Sequence, residues 1–208
     1  PDIIISDIMM PGIDGIEVCK RLKNDIKTNH IPIILLSARA NDASKIQGLN
    51  SGADVYLTKP VSLDVLKTQL KSLLDNRKKI HEEFKNLNFE PSKVNINSVD
   101  ELFVDKIINI INENIDNPNF TVQEFSNLSG MSRTTFFNKV KSITGLKPTE
   151  FLRNYRLKLA AQFLLKGFSV KECMYKTGFN TPSYFTQSFK ILFDMTPTQY
   201  TKKNREPL

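Results

Sequence analysis

Residues 121 to 200 contain one sequence pattern written twice. The first copy is TVQEFSNLSGMSRTTFFNKVKSITGLKPTEF and the second is SVKECMYKTGFNTPSYFTQSFKILFDMTPTQY. The pairs that match, at an offset of 48 and then of 49 residues, are Val122 and Val170, Glu124 and Glu172, Gly130 and Gly178, Phe137 and Phe185, Lys141 and Lys190, Pro148 and Pro197, and Thr149 and Thr198. This alignment places one extra residue in the second copy after Phe185. A fixed internal repeat indicates that one supersecondary unit is used twice.

Each copy predicts two helices joined by a turn that contains glycine. A short amphipathic run ends at Gly130 or Gly178, and glycine is the usual residue after a helix because it adopts the left-handed conformation at low cost. Ser132 and Asn180 are predicted to cap the second helix of each copy. Apolar residues at i, i+4 and i+7 then predict the buried face, and they are Phe136, Val140 and Ile143 in one copy and Phe185, Phe189 and Leu192 in the other.

The repeat favours a tandem helix-turn-helix over a simple helical bundle. One helix-glycine-helix pattern also fits a bundle with a solvated polar face, but two copies joined by a helical stretch, 151–165, fit it poorly. From about Leu102 to Asn204 the chain resembles the DNA-binding domain of AraC/XylS-family transcription regulators, through GMSRTTFFNKVKSITGLKPTEFLRNYRLKLAAQFL and GFNTPSYFTQSFKILFDMTPTQY. The resemblance implies two recognition helices in successive major-groove segments of double-stranded DNA.

The candidate DNA-binding residues lie on the faces that the core positions leave polar. They are Arg133, Thr134, Phe137, Asn138 and Lys141 in the first recognition helix, and Thr181, Ser183, Thr186, Gln187 and Lys190 in the second. The amide of Gln187 suits adenine, whereas Lys141 and Lys190 suit phosphates. Phe137 fits either a thymine methyl group or packing on a neighbouring helix. Many family members have Arg where Asn138 and Gln187 stand, so a guanine preference at those steps does not carry over.

The charge distribution agrees with a polyanionic partner for the second half. Residues 103 to 208 contain 15 basic and 8 acidic side chains, a difference that accounts for the whole formal charge of +7. Charge alone also fits a merely basic surface. The only two cysteines, Cys19 and Cys173, lie far apart in sequence, which fits a reducing compartment. No apolar stretch approaches 18 residues, so we predict a segment without membrane contact.

Residues 1 to 75 predict a parallel α/β fold. Apolar strands over Ile3–Ile5, Ile31–Leu36 and Asp54–Leu57 alternate with helices over Ile16–Asn24, 41–51 and 63–74. The predicted fold class of the chain is therefore α/β, a partial doubly wound parallel sheet, followed by an all-α domain with two helix-turn-helix motifs. The predicted domains are 1–75, a linker at 76–98, and 99–208, with Ser98 and Glu101 as a capping box before the first helix of the second domain.

Asp7, Ser37 and Lys59 each fall at or just beyond the carboxyl end of a predicted strand. In a parallel sheet these ends share one edge, so an acid, a hydroxyl and a lysine are predicted to converge into a phosphoryl-transfer site. Taken singly, Asp7 also fits a strand-end cap or ion pair, and Lys59 a solvated lysine before Pro60.

DIMMPGIDG, LLSA and VYLTKP resemble the receiver domain of two-component response regulators from its third strand onward. The resemblance implies that Asp7 accepts a phosphoryl group from a histidine kinase and that Ser37 and Lys59 contact it. It further implies that the Met9 carbonyl joins Asp7 in binding Mg²⁺, that Tyr56 is the aromatic switch residue, and that the peptide bond before Pro60 is cis.

The resemblance also implies an acidic Mg²⁺-binding pair on a strand earlier than any present here. We therefore expect this segment to be truncated at its N-terminus and to bind Mg²⁺ poorly. We also expect inefficient phosphorylation of Asp7 in the segment as given, although the intact parent is phosphorylated, and exposure of Ile3, Ile4 and Ile5 along an unpaired sheet edge.

The pattern as a whole predicts a DNA-binding transcription regulator, an activator, of a two-component phosphorelay. The segment itself is not expected to be an enzyme, although a hybrid parent would carry histidine kinase activity. The predicted partners are DNA, a histidine kinase in cis or in trans, RNA polymerase and a second copy of the intact protein. The predicted location is the cytoplasm, as a free regulator or as the cytoplasmic end of an inner-membrane hybrid sensor.

Two alternatives remain open from the sequence. A Mg²⁺-dependent phosphohydrolase would use Asp7 as its nucleophile, but it would want a second acid where Met9 stands. A protein-interaction module would use the helical repeat without specific DNA recognition.

Overall fold

The computed structural model describes residues 1–38, 42–85 and 98–204. These residues divide into two compact units. The first contains residues 1–84 together with residues 98–102 and 138–145, and the second contains Lys85 and the described residues 103–137 and 146–204. Most of the predicted linker, residues 86–97, and the side chain of the predicted cap Ser98 lie outside the described residues.

The N-terminal part of the chain is a three-stranded parallel sheet with three helices. Its elements are β1 (Ile4–Asp7), α1 (Gly15–Asn24), β2 (Ile33–Ser37), α2 (Asp42–Asn50), β3 (Val55–Thr58) and α3 (Leu63–Lys85). The strand order is β1-β2-β3, and both pairs are parallel. The predicted α/β alternation is confirmed. The last helix runs to Lys85 and so includes the start of the predicted linker.

Buried apolar side chains of the sheet and α1 form the core of this part. The members of this cluster are Ile16, Cys19, Ile33, Leu35, Ala53 and Tyr56. Ile5 on the edge strand β1 is 45% exposed, whereas Ile4 packs against the cluster. The prediction of an exposed isoleucine edge therefore holds for Ile5 but is wrong for Ile4, because side chains alternate between the two faces of a strand.

Polar contacts tie the helices to the amino ends of the strands. Asp54 accepts hydrogen bonds from the Lys23 ammonium at 2.7 Å and from the Ile33 amide at 2.8 Å, so it links α1 to the start of β2. The Arg77 guanidinium on α3 donates to the carbonyls of Asp2 at 3.0 Å and His30 at 2.6 Å. These contacts leave the opposite, carboxyl edge of the sheet for Asp7 and its neighbours.

The C-terminal part is helical. Its elements are α4 (Ser98–Glu113), α5 (Val122–Leu128), α6 (Arg133–Thr144), α7 (Pro148–Leu165), α8 (Val170–Lys176), α9 (Pro182–Phe193) and α10 (Pro197–Asn204). The two predicted helix-turn-helix units correspond to α5 with α6 and to α8 with α9. Identical capping boxes begin α5 and α8, in which Thr121 pairs with Glu124 and Ser169 with Glu172.

Aromatic side chains dominate the helical core. Phe125 contacts Phe136 edge to face at 4.6 Å, and Phe103 of α4 contacts the same ring at 6.3 Å. Around α9, Phe189 and Phe193 stack at 4.3 Å. The predicted inward positions are buried except Leu192, which is partly buried beside the core. Leu102, which begins the apolar run of α4, is 69% exposed and lies outside its buried face.

Two details of the second copy differ from the prediction. The helix α9 begins at Pro182 with Thr181 as its N-cap, so the predicted cap Asn180 is wrong. Proline at the first helical position has a fixed φ that suits a helix start. The extra residue of the second copy consequently lies in the turn after Gly178, and the structural equivalent of the buried Phe185 is Phe136 rather than Phe137.

Among the residues that the structure describes, no helix combines the length and the apolar character needed to cross a bilayer.

Candidate phosphoacceptor site and DNA-binding surface

Asp7 ends β1 at the carboxyl edge of the sheet, with its side chain 34% exposed. Its carboxylate forms an ion pair with the Lys59 ammonium and accepts a hydrogen bond from the Met9 amide at 3.2 Å. The bond with Lys59, followed by that from Met9, lowers the pKa of Asp7 below its ordinary value. The carboxylate therefore stays ionised at neutral pH.

Lys59 and Ser37 lie side by side at the same edge. Ser37 is the last residue of β2 and is 1% exposed. Its carbonyl accepts a hydrogen bond from the Lys59 amide at 2.7 Å, which continues the pairing of β2 with β3 by one residue. The peptide bond between Lys59 and Pro60 is cis, as the resemblance implied. The structure thus brings together the acid, the hydroxyl residue and the lysine that the sequence singled out.

Tyr56 lies inside the N-terminal core rather than at its surface. It is 7% exposed and belongs to the cluster around Ile16 and Cys19. A β-carbon at Gly48 on α2 would stand 2.5 Å from the Tyr56 ring, so the ring occupies the space that a side chain at position 48 would need. The switch role of Tyr56 stays a prediction.

The residues at this edge do not form a metal site by themselves. In the described part of the chain, no group of three or more His, Cys, Asp or Glu side chains is placed to hold a metal ion. Mg²⁺ prefers six oxygen ligands. The Asp7 carboxylate and the Met9 carbonyl would supply only two positions, and one Asp7 oxygen is engaged by Lys59.

Helix α6 presents an outer face that is polar and basic. Arg133, Thr134, Asn138 and Lys141 are exposed, and Phe137 is half-buried. Sequence reasoning did not show that Lys139 differs from these residues. It is 0% exposed, and its ammonium lies 3.0 Å from the Asp100 carboxylate. Burial lowers the pKa of Lys139, and the charge of Asp100 opposes that shift. Lys139 therefore does not belong to the polar outer face.

Helix α9 presents a matching face. Thr181, Ser183, Gln187 and Lys190 are exposed and Thr186 is half-buried. The sequence analysis missed Tyr184, which is 51% exposed although its ring lies 6.0 Å from Phe179. Its position three residues before Gln187, on the same helical face, was the signal that would have identified it. Aromatic character alone suggested a core residue.

The turns of both helix-turn-helix units have the predicted glycine geometry. Gly130 has φ +77° and Gly178 has φ +71°, both in the left-handed region. In the first unit, the Lys106 ammonium of α4 donates to the carbonyl of Ser129, the C-cap of α5, at 2.9 Å. A cation at a helix C-terminus satisfies a carbonyl that lacks an intrahelical partner. This contact stabilises the turn before the recognition helix.

Comparison with known proteins agrees with this two-part organisation. Residues 1–71 match the response regulator receiver domain family, and residues 125–203 match a helix-turn-helix domain family of the AraC type. The chain is a receiver segment followed by an AraC-type domain. This pair supports a two-component, DNA-binding transcription regulator, and neither family description is that of an enzyme.

Three similar proteins illustrate the match. Histidine kinase P4 of Formosa agariphila is 40% identical over 99% of this chain, which spans 15% of that protein. Response regulator PleD of Caulobacter vibrioides is 49% identical over 35% of this chain and 16% of its own length. The C-terminal domain of the response regulator yesN from Fusobacterium nucleatum is 27% identical over 47% of this chain and 96% of its own, with a TM-score of 0.44.

Proposed function

We propose that this regulator is the DNA-reading end of a hybrid two-component protein, in which Asp7 receives the phosphoryl signal. The observation that carries the proposal is the alignment of 99% of the chain, receiver and AraC-type domain together, with one histidine kinase. That relative is much longer than this chain, which supports a parent with kinase activity in cis. A separate regulator phosphorylated in trans is the alternative form of the same function.

The chemistry of the phosphoryl step follows from the carboxyl edge of the sheet. A carboxylate oxygen of Asp7 attacks the phosphorus of a phosphohistidine, the phosphorus–nitrogen bond breaks, and the histidine takes up the electron pair. After transfer, the ammonium of Lys59 would weaken its ion pair with the Asp7 carboxylate and form a new ion pair with the phosphoryl oxygens. Ser37 would contact the same group. In the intact parent, Mg²⁺, which receiver domains generally use, would be held by Asp7, the Met9 carbonyl and the acidic pair that the receiver resemblance implies, and it would supply positive charge beside the phosphoryl group.

DNA recognition is assigned to the outer faces of α6 and α9. Arg133, Asn138 and Gln187 have the donors and acceptors that distinguish base edges, and all three are exposed. Lys141 and Lys190 would bind phosphates and thereby set the register on the duplex. The remaining contacts are proposed for Thr134, Phe137, Thr181, Ser183 and Thr186, to which the structure adds Tyr184 as a candidate for a thymine methyl group.

The partners and location follow from the same proposal. A transcription regulator of this kind would act in the cytoplasm, contact RNA polymerase as an activator and bind DNA as a dimer of the intact protein. In a hybrid sensor, this segment would be the cytoplasmic end of an inner-membrane protein.

Selection from a random duplex library with the 208-residue chain tests the DNA-reading function. We expect two enriched motifs about 10 bp apart, centre to centre, because the two recognition helices enter successive turns of the groove. Affinity should fall steeply between two salt concentrations. The Asn138→Ala/Gln187→Ala variant should keep the salt dependence and lose the sequence preference. Enrichment of no sequence would contradict the proposal.

Phosphoryl transfer in the longer parent protein tests the role of Asp7. Transfer from the kinase should label the receiver, and Asp7→Asn should abolish the label because the nucleophilic oxygen is lost. Asp75→Asn is the matched control, since Asp75 is an exposed carboxylate on α3 away from the strand ends. Persistent labelling of the Asp7→Asn protein would assign the phosphoryl group to another residue.

A further inference from the structure

Arg156 is a buried cation in the middle of α7, the helix between the two helix-turn-helix units. It is 6% exposed. Its guanidinium donates to the carbonyls of Asn114 at 3.0 Å and Asn117 at 2.7 Å, and to that of Gly178 at 3.4 Å. A single side chain therefore contacts the turn that follows α4 and the turn of the second helix-turn-helix.

The carbonyls that Arg156 contacts lie in the turns that directly follow two helices. Helix α4 ends at Glu113, and α8 ends at Lys176 with Thr177 as its C-cap. The Asn114 and Asn117 carbonyls each accept one backbone hydrogen bond at 3.3 Å, so the guanidinium uses their second lone pairs, and the dipoles of α4 and α8 make this region electronegative. Burial lowers the pKa of Arg156, and the nearby charge of Asp116 opposes that shift. Guanidinium remains charged in proteins, so one cation stabilises both helix ends.

The backbone at Gly178 lies directly against this contact. A β-carbon at position 178 would stand 2.6 Å from the carbonyl oxygen of Ile115 and 2.7 Å from Cζ of Arg156. The missing side chain lets the second turn approach both the 114–117 turn and the guanidinium. At the repeat-equivalent Gly130, a β-carbon would have no atom within 4 Å. The two turns of the repeat therefore differ in their surroundings.

Among the described hydrogen bonds, the corresponding contact in the first helix-turn-helix joins two neighbouring helices of the same half. Lys106 donates to Ser129 at the end of α5, and α4 and α5 belong to the same half of the domain. Arg156 instead connects the end of α4 in the first half with the end of α8 in the second. Lys106 thus offers a matched control: a cation that caps a helix without linking the halves.

We infer that Arg156 is a positioning residue that, with Gly178, holds the second helix-turn-helix at a set distance and angle from the first. Apolar residues of α7, such as Leu157 and Leu164, pack with α8 and α9 in one core cluster, and the Arg156 contact adds a direct polar restraint on the 114–117 turn against the second turn. The consequence for DNA rests on the proposed function. If the distance and angle between the two helix-turn-helix units are fixed, only DNA motifs at a matching spacing can be bound by both recognition helices. Arg156 thereby contributes to operator selection without touching DNA.

A distance measurement on the DNA-free chain tests the inference directly. Spin labels are attached to cysteines introduced at two exposed positions, Gln123→Cys on α5 and Lys171→Cys on α8, and they report the distance between the two helix-turn-helix units. Cys19 and Cys173 are 0% exposed and therefore protected from labelling. The wild type and Lys106→Met should give one narrow distance distribution. Arg156→Met should give a distribution about twice as wide, because the restraint on local motion is lost. Circular dichroism verifies that each variant is folded.

Arg156→Lys supplies a second variant if the methionine variant unfolds. Lysine keeps the charge but lacks the planar fork that reaches several carbonyls at once, so we expect an intermediate width. A folded Arg156→Met or Arg156→Lys protein with the wild-type distribution would overturn the inference.

A second measurement separates this inference from the DNA-reading function. Duplexes that carry both selected motifs at spacings one base pair shorter or longer than the best should bind the wild type and Lys106→Met about tenfold more weakly, which is ~1.4 kcal/mol. Arg156→Met should lose most of that difference. Unchanged spacing dependence in folded Arg156→Met would overturn the inference and leave DNA reading intact. If the wild type selects no sequence, the DNA function fails, and the spin-label distances still decide the role of Arg156.

Discussion

Gly15 lies directly against the backbone of Asp7. A β-carbon at position 15 would stand 2.9 Å from the carbonyl carbon of Asp7 and closer still to its oxygen. The Gly15 amide also donates to the carbonyl of Ile8 at 2.9 Å. Helix α1 therefore begins in contact with the end of β1, and the absence of a side chain at its first residue positions the candidate phosphoacceptor.

Gly15→Ala should loosen this junction. The alanine methyl group would overlap backbone atoms, which cannot move aside as a flexible side chain does, so we expect a loss of about 1–3 kcal/mol in local stability. Hydrogen exchange at the amides of β1 and the start of α1 measures the effect. Gly12→Ala is the comparison: a β-carbon there meets no atom within 4 Å, so this variant carries the backbone strain of φ +89° without the steric overlap and should reduce protection in β1 less. Equal protection in both variants would contradict a steric role for Gly15.

Lys59→Met should raise the pKa of Asp7 towards its ordinary value, because the ion pair with Lys59 is the largest cause of its depression. A carboxyl NMR titration from acid to neutral pH measures the shift. The folded-state pKa lies below the unfolded one, so the contribution of Asp7 to stability is present above the unfolded value and disappears as pH falls through the folded value. The variant should lose the larger part of that acid-range dependence, while the hydrogen bond from the Met9 amide retains the rest. Lys67→Met, an exposed lysine of α3, should leave the titration unchanged.

Gly178→Ala should cost more stability than Gly130→Ala. Both residues have a left-handed φ, so each substitution carries about 1–2 kcal/mol of backbone strain. Only position 178 adds the overlap with Ile115 and Arg156, about 1–3 kcal/mol more. Hydrogen exchange in α8 and in α5 reports each turn separately. Similar losses at the two positions would show that the surroundings of Gly178 relax without cost.

Lys141→Ala and Asn138→Ala should affect DNA binding differently. Removal of a phosphate contact should weaken binding to every sequence and reduce the magnitude of the salt slope by about 1. Removal of a bidentate base contact should cost about 1–3 kcal/mol at one base position and relax the preference there. Titrations of the selected duplex and of single-base variants distinguish the two effects. Lys166→Ala, an exposed lysine at the end of α7, is the charge-matched control.

Local patterns in the sequence predicted most of the secondary structure. The strands and helices of the N-terminal part follow from apolar runs and alternation, and both recognition helices follow from their apolar spacing. The glycines that end α5 and α8 were also predictable, because a left-handed residue after a helix has a residue preference of its own. The predicted N-cap of α9, Asn180, was wrong because proline at the first helical position, Pro182, makes the residue directly before it, Thr181, the N-cap.

The candidate phosphoryl site was predictable because the topology of a parallel sheet fixes where the strand ends lie. Parallel strands bring their carboxyl ends to one edge, so the sequence alone was enough to group Asp7, Ser37 and Lys59. The ion pair between Asp7 and Lys59 gives this grouping its geometry. The exposure of the polar outer faces of α6 and α9 was likewise predictable from helical periodicity. The burial of Lys139, which was not among the candidates, was not predictable, because it depends on the partner Asp100, 39 residues away.

The sequence by itself determined the repeat, the two fold classes and the chemical character of the two surfaces, since each follows from residue types that recur at regular positions along the chain. Only the tertiary structure revealed the role of Arg156. Its partners are backbone carbonyls 42, 39 and 22 residues away. Every residue has such a carbonyl, so no side-chain pattern marks the ones that a distant guanidinium will reach. Packing of the helices selects them, and with them the relation between the two halves of the DNA-binding domain.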